Sequence, residues 1–94
     1  MRLTDIFLME SEGNYTRLHF GSEHPLIRRS LNSLEEQIDP SIFFGAGRSE
    51  IINLEWVEKV DIAVTGGLLV TLRGGRRVEM SRRQSTRLRA VPAL

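Results

Sequence analysis

Residues 6–20 have the sequence IFLMESEGNYTRLHF, which is the strongest evidence for the fold class in the chain. An apolar run leads into polar residues, the pair Gly13-Asn14 follows, and residues 15–20 alternate between apolar and polar side chains. Alternation with a period of two is typical of a strand with one buried face. A glycine and an asparagine between two such runs are typical of a tight turn, so the stretch predicts an antiparallel β-hairpin.

Strands are predicted on the carboxyl-terminal side as well. A turn at residues 21–25 leads to a short strand over residues 26–29, and apolar pairs at Ile51-Ile52 and Trp56-Val57 precede an alternating segment, residues 60–64. Two glycine pairs predict two-residue hairpin turns between the last strands: Gly66-Gly67 and Gly74-Gly75. The strands around them are predicted at residues 68–73 and 76–80. The chain is therefore predicted to be mainly β.

Two short helices interrupt the strands. Ser30 is a plausible N-cap for the first helix, whose apolar residues Leu31, Leu34 and Ile38 recur at helical spacing. Asp39-Pro40 is expected to end it, because the residue before a proline is pushed out of the α region. The second helix is predicted over residues 82–91, with Ser81 and Gln84 as a capping box and Leu88 and Val91 on its apolar side.

Length and composition indicate a single domain over residues 1–94. Hydrophobic residues make up 40% and charged residues 27% of the chain, which is ordinary for a globular protein and argues against disorder. No apolar run approaches the roughly 20 residues needed to span a bilayer. The chain has no cysteine, which excludes disulfides and thiolate metal sites. A cytoplasmic protein without a cofactor is expected.

The net charge of +1 hides a strong segregation of charge. Residues 1–72 carry six basic and eleven acidic side chains, whereas residues 73–94 carry seven arginines and one glutamate. Arginine pairs with phosphates and guanine edges through two parallel hydrogen bonds. Nucleic acid is therefore the first partner to consider, and a merely solvated charged face is the alternative.

The residues needed for catalysis are scarce. His19 and His24 have no neighbouring ligand set at metal-binding spacing, and no serine lies in a nucleophile-elbow pattern. The glycine pairs join strand to strand rather than strand to helix, which is not the context of a phosphate-binding loop. No catalytic residue, metal ligand or cofactor is predicted, and an enzyme is the weakest hypothesis.

Four segments of the sequence, in the same order, resemble motifs of the LytTR DNA-binding domain family. Residues 10–15 (ESEGNY) resemble its opening motif and residues 30–35 (SLNSLE) its internal helix. Residues 44–54 resemble its central signature through Arg48-Ser49 and Ile52-Asn53-Leu54, and Ser81-Arg82-Arg83 resembles its last motif. Together the motifs cover nearly the whole chain.

The resemblance implies a fold and a function. The family fold is an elongated stack of small antiparallel sheets, and its loops insert into successive major grooves of a direct-repeat operator. Family members are output domains of bacterial transcriptional regulators, often in two-component systems, joined to a receiver or sensor domain, and pairs of them occupy DNA. The matching positions are Asn14, Tyr15, Arg48, Ser49, Arg82 and Arg83, to which we add Arg77 from its place beside a glycine turn. Asn53 matches a structural position that ties a loop.

The central signature departs from the family pattern. Gly45 stands where the family usually has arginine, Gly47 where it usually has histidine, and Glu50 where an aromatic residue is common. Two DNA-facing groups are thus missing and a carboxylate is added. We expect a different operator, or a weaker contact that relies more on Arg48, Arg82 and Arg83.

Two other classes of function stay open. One is a β-rich protein-interaction module that docks an acidic partner through the basic carboxyl-terminal part. The other is a small RNA-binding barrel, which would need exposed aromatic rings for base stacking. Tyr15 is the one candidate for such a ring, since five aromatic residues are predicted in the core: Phe7, Phe20, Phe43, Phe44 and Trp56.

Overall fold

The computed structural model of the chain describes residues 3–90. Its strands are β1 (Leu8–Glu12), β2 (Tyr15–His19), β3 (Leu26–Ile27), β4 (Phe43–Gly45), β5 (Glu50–Asn53), β6 (Val57–Ile62), β7 (Leu68–Leu72) and β8 (Arg77–Glu79). Its α-helices are α1 (Leu31–Glu35) and α2 (Arg82–Arg89), and two 3₁₀ turns cover Leu3–Asp5 and Leu54–Trp56. The prediction of a mainly β chain with one internal and one carboxyl-terminal helix is confirmed.

The strands form two antiparallel sheets. The larger has five strands in the order β3-β2-β1-β5-β4, and the smaller has three in the order β6-β7-β8. The two sheets stack into a slightly elongated body with principal extents of 33 × 24 × 23 Å. Within residues 3–90 no helix is long and apolar enough to cross a membrane.

The five-stranded sheet is buried on both faces. Because side chains alternate along a strand, Met9 and Ile51 point to one face while Leu8 and Ile52 point to the other. The first face is covered by α1, in a core that consists of Ile6, Met9, Leu18, Leu31, Phe43 and Ile51. The second face packs on β7, β8 and α2, whose Leu88 is 1% exposed. The five aromatic residues predicted in the core do pack against these two clusters.

Serine side chains cap both α-helices. The hydroxyl of Ser30 accepts a hydrogen bond from the Ser33 N–H, and that of Ser81 accepts one from the Gln84 N–H. The prediction that α1 runs to Asp39-Pro40 is wrong, because its C-cap is already Glu36. Ile38 lies beyond the helix but still packs against the core.

The helix α2 ends at Arg89 with Ala90 as C-cap, so Val91, predicted on its apolar side, falls outside the described residues. Its capping box is only half formed. The Gln84 side chain does not turn back to Ser81 and instead donates a hydrogen bond to the Gly45 carbonyl. The helix start is thereby fixed to the end of β4.

The turns are only partly as predicted. Gly13 has a φ of +67° and Asn14 does not have a positive φ, the pattern of a two-residue II′ turn, so the first hairpin is confirmed. The predicted Gly66-Gly67 turn is wrong. The Ala63 N–H donates to the Gly67 carbonyl over 2.8 Å, which leaves three residues in the turn with Gly66 last at a φ of +94°. The Gly74-Gly75 turn likewise includes Arg73, because the Leu72 N–H donates to the Arg76 carbonyl.

Candidate nucleic-acid interface

Two of the predicted contact segments lie at the same end of the five-stranded sheet. The strand β1 pairs with both β2 and β5 in antiparallel fashion, so the Gly13-Asn14 turn and the loop before β5 meet there. The Ser11 N–H donates to the Ser49 carbonyl over 2.8 Å, which joins the two segments directly. Asn14 and Tyr15 are exposed at this end.

The loop over residues 46–49 presents Arg48 to solvent. Ala46 is buried and its N–H donates to the Glu50 carbonyl, which closes the base of the loop. Gly47, Arg48 and Ser49 are all exposed. The Arg48 side chain makes no ion pair or hydrogen bond with residues 3–90, so a structural ion pair with Glu50 or Glu55 does not form there. The described part of the chain therefore leaves the Arg48 guanidinium available to a ligand.

The start of α2 lies beside this loop. The hydrogen bond from Gln84 to the Gly45 carbonyl holds the first turn of the helix against the end of β4. Arg83, the residue before Gln84, is exposed and has no side-chain partner within the described part of the chain. Arg83 therefore lies on a helix turn that is held against the strand preceding the Arg48 loop, and the backbone N–H groups of this turn favour an anion.

Arg82 leans away from Arg83, towards the β6–β7 turn. Its Nε donates to the Thr65 carbonyl over 3.2 Å. A Cβ on Gly66 would lie 2.8 Å from the same Nε, so glycine at this position makes room for the guanidinium. The hydrogen bond uses one nitrogen of Arg82 and leaves its two terminal nitrogens available for an anion.

The two arginines beside the β7–β8 turn have different surroundings. Arg76 donates to the Glu10 carboxylate over 2.8 Å and so ties the turn to β1. Arg77 lies on β8, with its side chain on the face of the sheet away from the buried Val78. Within residues 3–90 it has no partner. Arg77 and Arg82 lie at opposite ends of the small sheet, separated by a strand of about 16 Å. The predicted site residues therefore form an extended surface rather than one cluster.

Acidic side chains near the interface are mostly compensated. Glu12 accepts a hydrogen bond from Arg17, which lowers the pKa of Glu12. Glu10 accepts from Arg76 and lies 2.6 Å from His19 Nε2. Glu50 is the exception: burial raises its pKa, the Glu10 carboxylate adds to the increase, and Arg76 only partly opposes it.

Sequence reasoning did not assign Arg28 and Arg29 to the interface. Both follow β3 and are exposed, without a side-chain partner in the described residues. The Thr16 hydroxyl donates to the Arg29 carbonyl over 2.7 Å, which places this pair next to Tyr15 and the hairpin turn. The available signal was two adjacent arginines between a strand and a helix cap.

Asn53 has the structural role that the family resemblance implied. It is fully buried, and its Nδ2 donates to the carbonyls of Thr4 (3.0 Å) and Ile6 (2.9 Å). Its Oδ1 accepts from the Glu55 N–H over 2.8 Å. The side chain thereby ties the segment before β1 to the end of β5.

The arrangement suits anion binding better than base stacking or metal chemistry. Among the Phe, Tyr and Trp rings of residues 3–90, only that of Tyr15 is exposed. The same residues contain no group of three or more His, Asp or Glu side chains arranged to hold a metal ion. What they do contain is a series of uncommitted guanidiniums on adjoining segments: Arg28, Arg29, Arg48, Arg77 and Arg83.

Comparisons with known proteins show what the chain is similar to. A family model described as the LytTr DNA-binding domain matches residues 1–92. The CO-responsive transcriptional regulator RcoM of Rhodospirillum rubrum is 36% identical over 90 residues, which are 95% of this chain but only 38% of that regulator. A solved LytTr DNA-binding domain from Bacillus cereus matches with a TM-score of 0.89 and 17% identity, covering 100% of this chain and 86% of the other.

Proposed function

Because the chain belongs to the LytTR DNA-binding domain family, a family of DNA-binding domains of transcriptional regulators, we propose that it recognises a specific double-stranded operator. The observation that carries the proposal is a set of exposed arginines at one end of the large sheet that have no side-chain partner among residues 3–90: Arg28, Arg29, Arg48 and Arg83. An exposed guanidinium without an internal partner does not have to break an ion pair in order to bind a phosphate or a base edge.

The segments have distinct parts in the proposed complex. Arg48 and Ser49, at the tip of the loop before β5, enter a major groove beside Asn14 and Tyr15. Arg48 reads guanine there, since its planar fork matches the O6 and N7 acceptors of that base. These contacts supply sequence preference.

Phosphate contacts come from the edges of the surface. Arg83 and the N–H groups at the start of α2 hold one phosphate, because a helix start attracts anions. Arg77 and Arg82, at the two ends of the small sheet, reach other phosphates along the strand. Such contacts position the domain without reading the sequence.

Further features of the proposal concern the whole regulator. The operator contains repeated half-sites about one helical turn apart, and two copies of the domain occupy them. The domain is a non-catalytic output module that works in the cytoplasm, and a receiver or sensor domain in the parent protein supplies the signal. The support for a further domain is the relative RcoM, of which the chain matches only 38%.

The experiment is selection of bound duplexes from a random DNA pool at roughly physiological salt, where non-specific phosphate binding is weak. We expect enrichment of a short motif, present as repeats. The Arg48→Ala variant is selected in parallel, and its motif should lose information at one or two positions. Enrichment of no motif by the unchanged chain would refute sequence-specific recognition.

A protein-interaction module remains the second candidate, favoured by one observation. Gly47 provides no side chain at the tip of the loop over residues 46–49 (the central loop), and Glu50 places a poorly compensated carboxylate beside it. Under this alternative the exposed arginines dock an acidic protein surface. Both readings predict salt-sensitive binding, but only the first predicts that duplexes of equal length and different sequence bind with different affinities.

A further inference from the structure

The strand β6 leaves apolar side chains uncovered at the edge of the small sheet. Val60 is 41% and Ile62 76% exposed, although the residues opposite them on β7, Val70 and Leu68, are buried. Val64, in the turn after β6, is fully exposed. The strand has one neighbour, β7, and its other edge has no strand partner in the described part of the chain. An edge strand with apolar residues is a template for pairing with another strand.

The free backbone groups of this edge belong to Val60 and Ile62. The Ala63 N–H donates to the Gly67 carbonyl, so the backbone groups of Ala63 point towards β7. The Leu68 carbonyl, which lies opposite Ile62, accepts from the Met80 N–H and so points away from β6. Because hydrogen-bonding direction alternates along an antiparallel strand, the N–H and C=O groups of Val60 and Ile62 point outwards. A second strand would pair with these residues.

The charges that flank Val60 select the partner and the register. Lys59 and Asp61 lie on either side of it, on the opposite face of the strand, and form an ion pair with an N···O distance of 3.6 Å. If two copies of β6 pair antiparallel about Val60, each Lys59 lies directly opposite the Asp61 of the other copy. If the pairing were centred on Asp61 instead, Asp61 would lie opposite the Asp61 of the other copy, and like charges in that position are unfavourable.

We propose that two copies of this chain associate through β6, antiparallel and centred on Val60, so that their small sheets form one six-stranded sheet. Charged residues on an edge usually prevent pairing. Here their order makes the strand complementary to itself. The contact is small compared with the roughly 1,600 Å² of a standard interface, so the association is weak for the free domain.

Cysteine cross-linking tests the register directly, since the chain has no cysteine of its own. In the proposed pairing the two Val60 Cα atoms are about 5.5 Å apart, within the range that a disulfide bridges. The two Ile62 Cα atoms are more than about 13 Å apart, because they are four positions apart along the strands. The variants Val60→Cys and Ile62→Cys are oxidised under the same mild conditions, without DNA.

We expect the V60C variant to form a disulfide-linked dimer at least about tenfold faster than I62C, because Cα atoms more than about 7 Å apart cannot be bridged. This order is the reverse of the order of exposure, so random collisions do not explain it. Equal rates, faster linkage of I62C, or no linkage of V60C would overturn the proposal. Both side chains are exposed, so neither change removes a core residue.

Charge reversal in the V60C background provides a second, independent readout. Lys59→Asp alone and Asp61→Lys alone should each slow the cross-linking, because like charges then face each other across the pairing. The double variant K59D/D61K should restore the rate. If the double variant stays as slow as the single variants, Lys59 and Asp61 do not oppose each other. The assay uses no DNA, so its result is independent of the operator proposal.

Discussion

The Arg76 guanidinium donates a hydrogen bond to the Glu10 carboxylate over 2.8 Å and thereby ties the β7–β8 turn to the central strand of the large sheet. His19 Nε2 lies 2.6 Å from the other oxygen of the same carboxylate. Arg76 is thus engaged within the chain, whereas the adjacent Arg77 has no partner among residues 3–90. Of these two neighbouring arginines, only Arg76 therefore has its charge compensated by a carboxylate in the described part of the chain.

This difference gives the first prediction. We expect Arg77→Ala to reduce the slope of log K against log salt by about 1, as the loss of one phosphate contact should. Arg76→Ala should change the slope by clearly less, because its charge is already compensated by Glu10. Fluorescence anisotropy with a labelled operator duplex, between about 50 and 200 mM salt, measures both slopes. Equal changes in the two variants would contradict the assignment of Arg77.

The second prediction concerns Arg48. Arg48→Ala should weaken binding to the selected operator by about 1–3 kcal/mol and lower the preference for guanine at one position. Arg89→Ala is the matched control, because Arg89 is also exposed and has no side-chain partner among residues 3–90, but lies beside Val60 and Leu88, away from the central loop. Competition titrations with operator and scrambled duplexes separate the two effects. A similar loss of affinity in both variants would indicate non-specific charge attraction only.

Glu50 supports a third prediction, about pH. Burial raises the pKa of its carboxyl above the ordinary value of 4.5. Between the unfolded-state and folded-state pKa values, the folded chain keeps a proton that the unfolded chain has lost. The free energy of unfolding therefore falls as the pH rises from about 4.5 through the folded-state pKa. Glu50→Gln removes this titration, so the variant should gain stability relative to the unchanged chain at pH 7 but not at pH 4.

The measurement is urea denaturation of both proteins at the two pH values. Glu36→Gln, at an exposed position after α1, is the control and should show no such difference. The same Glu50→Gln change should also tighten DNA binding at pH 7, because it removes a carboxylate beside Arg48. Weaker binding of the variant would show that the carboxylate takes part in recognition, for example by accepting from a cytosine amino group.

Local signals in the sequence explain which parts of the fold were predictable. The first hairpin follows from alternation and the Gly13-Asn14 pair, and both α-helix starts follow from Ser30 and Ser81. The lengths of the later turns could not be predicted from the sequence, because a glycine pair does not show which flanking backbone groups form hydrogen bonds with each other. The exposure of Ile62 did not follow either, since alternation shows that a strand has two faces but not what covers them.

The sequence names residues for the candidate site but does not show how they are arranged. The positions of Arg48 and Arg83 came from motif resemblance, and the structure shows them exposed and unpaired in the described chain. The bonds of Gln84 to Gly45 and of Arg82 to Thr65 join residues that are 39 and 17 positions apart. Such contacts depend on how the sheets pack, which no local pattern encodes.

The fourth prediction tests Asn53 as a structural residue. Asn53→Ala removes both donors to Thr4 and Ile6 and the acceptor for the Glu55 N–H, and each buried group left unpaired costs about 1–3 kcal/mol. We expect the free energy of unfolding to fall by at least that amount in urea denaturation. Asn32→Ala, at an exposed position of α1, should change it by no more than about 0.5 kcal/mol. A loss as small for Asn53 as for Asn32 would contradict this role.

Gly47 supports the last prediction, because it stands where the family usually has histidine. A Cβ at this position would meet no atom within 4 Å, and the residue does not have a positive φ, so a side chain fits without strain. Gly47→His should leave the urea midpoint unchanged and place an imidazole donor beside Arg48 at the proposed groove. We expect tighter operator binding by about 1 kcal/mol, the contribution of one hydrogen bond. Gly47→Ala is the control for the backbone effect of losing glycine. If G47H and G47A bind alike, the imidazole does not reach the DNA and the central loop docks differently from the arrangement proposed here.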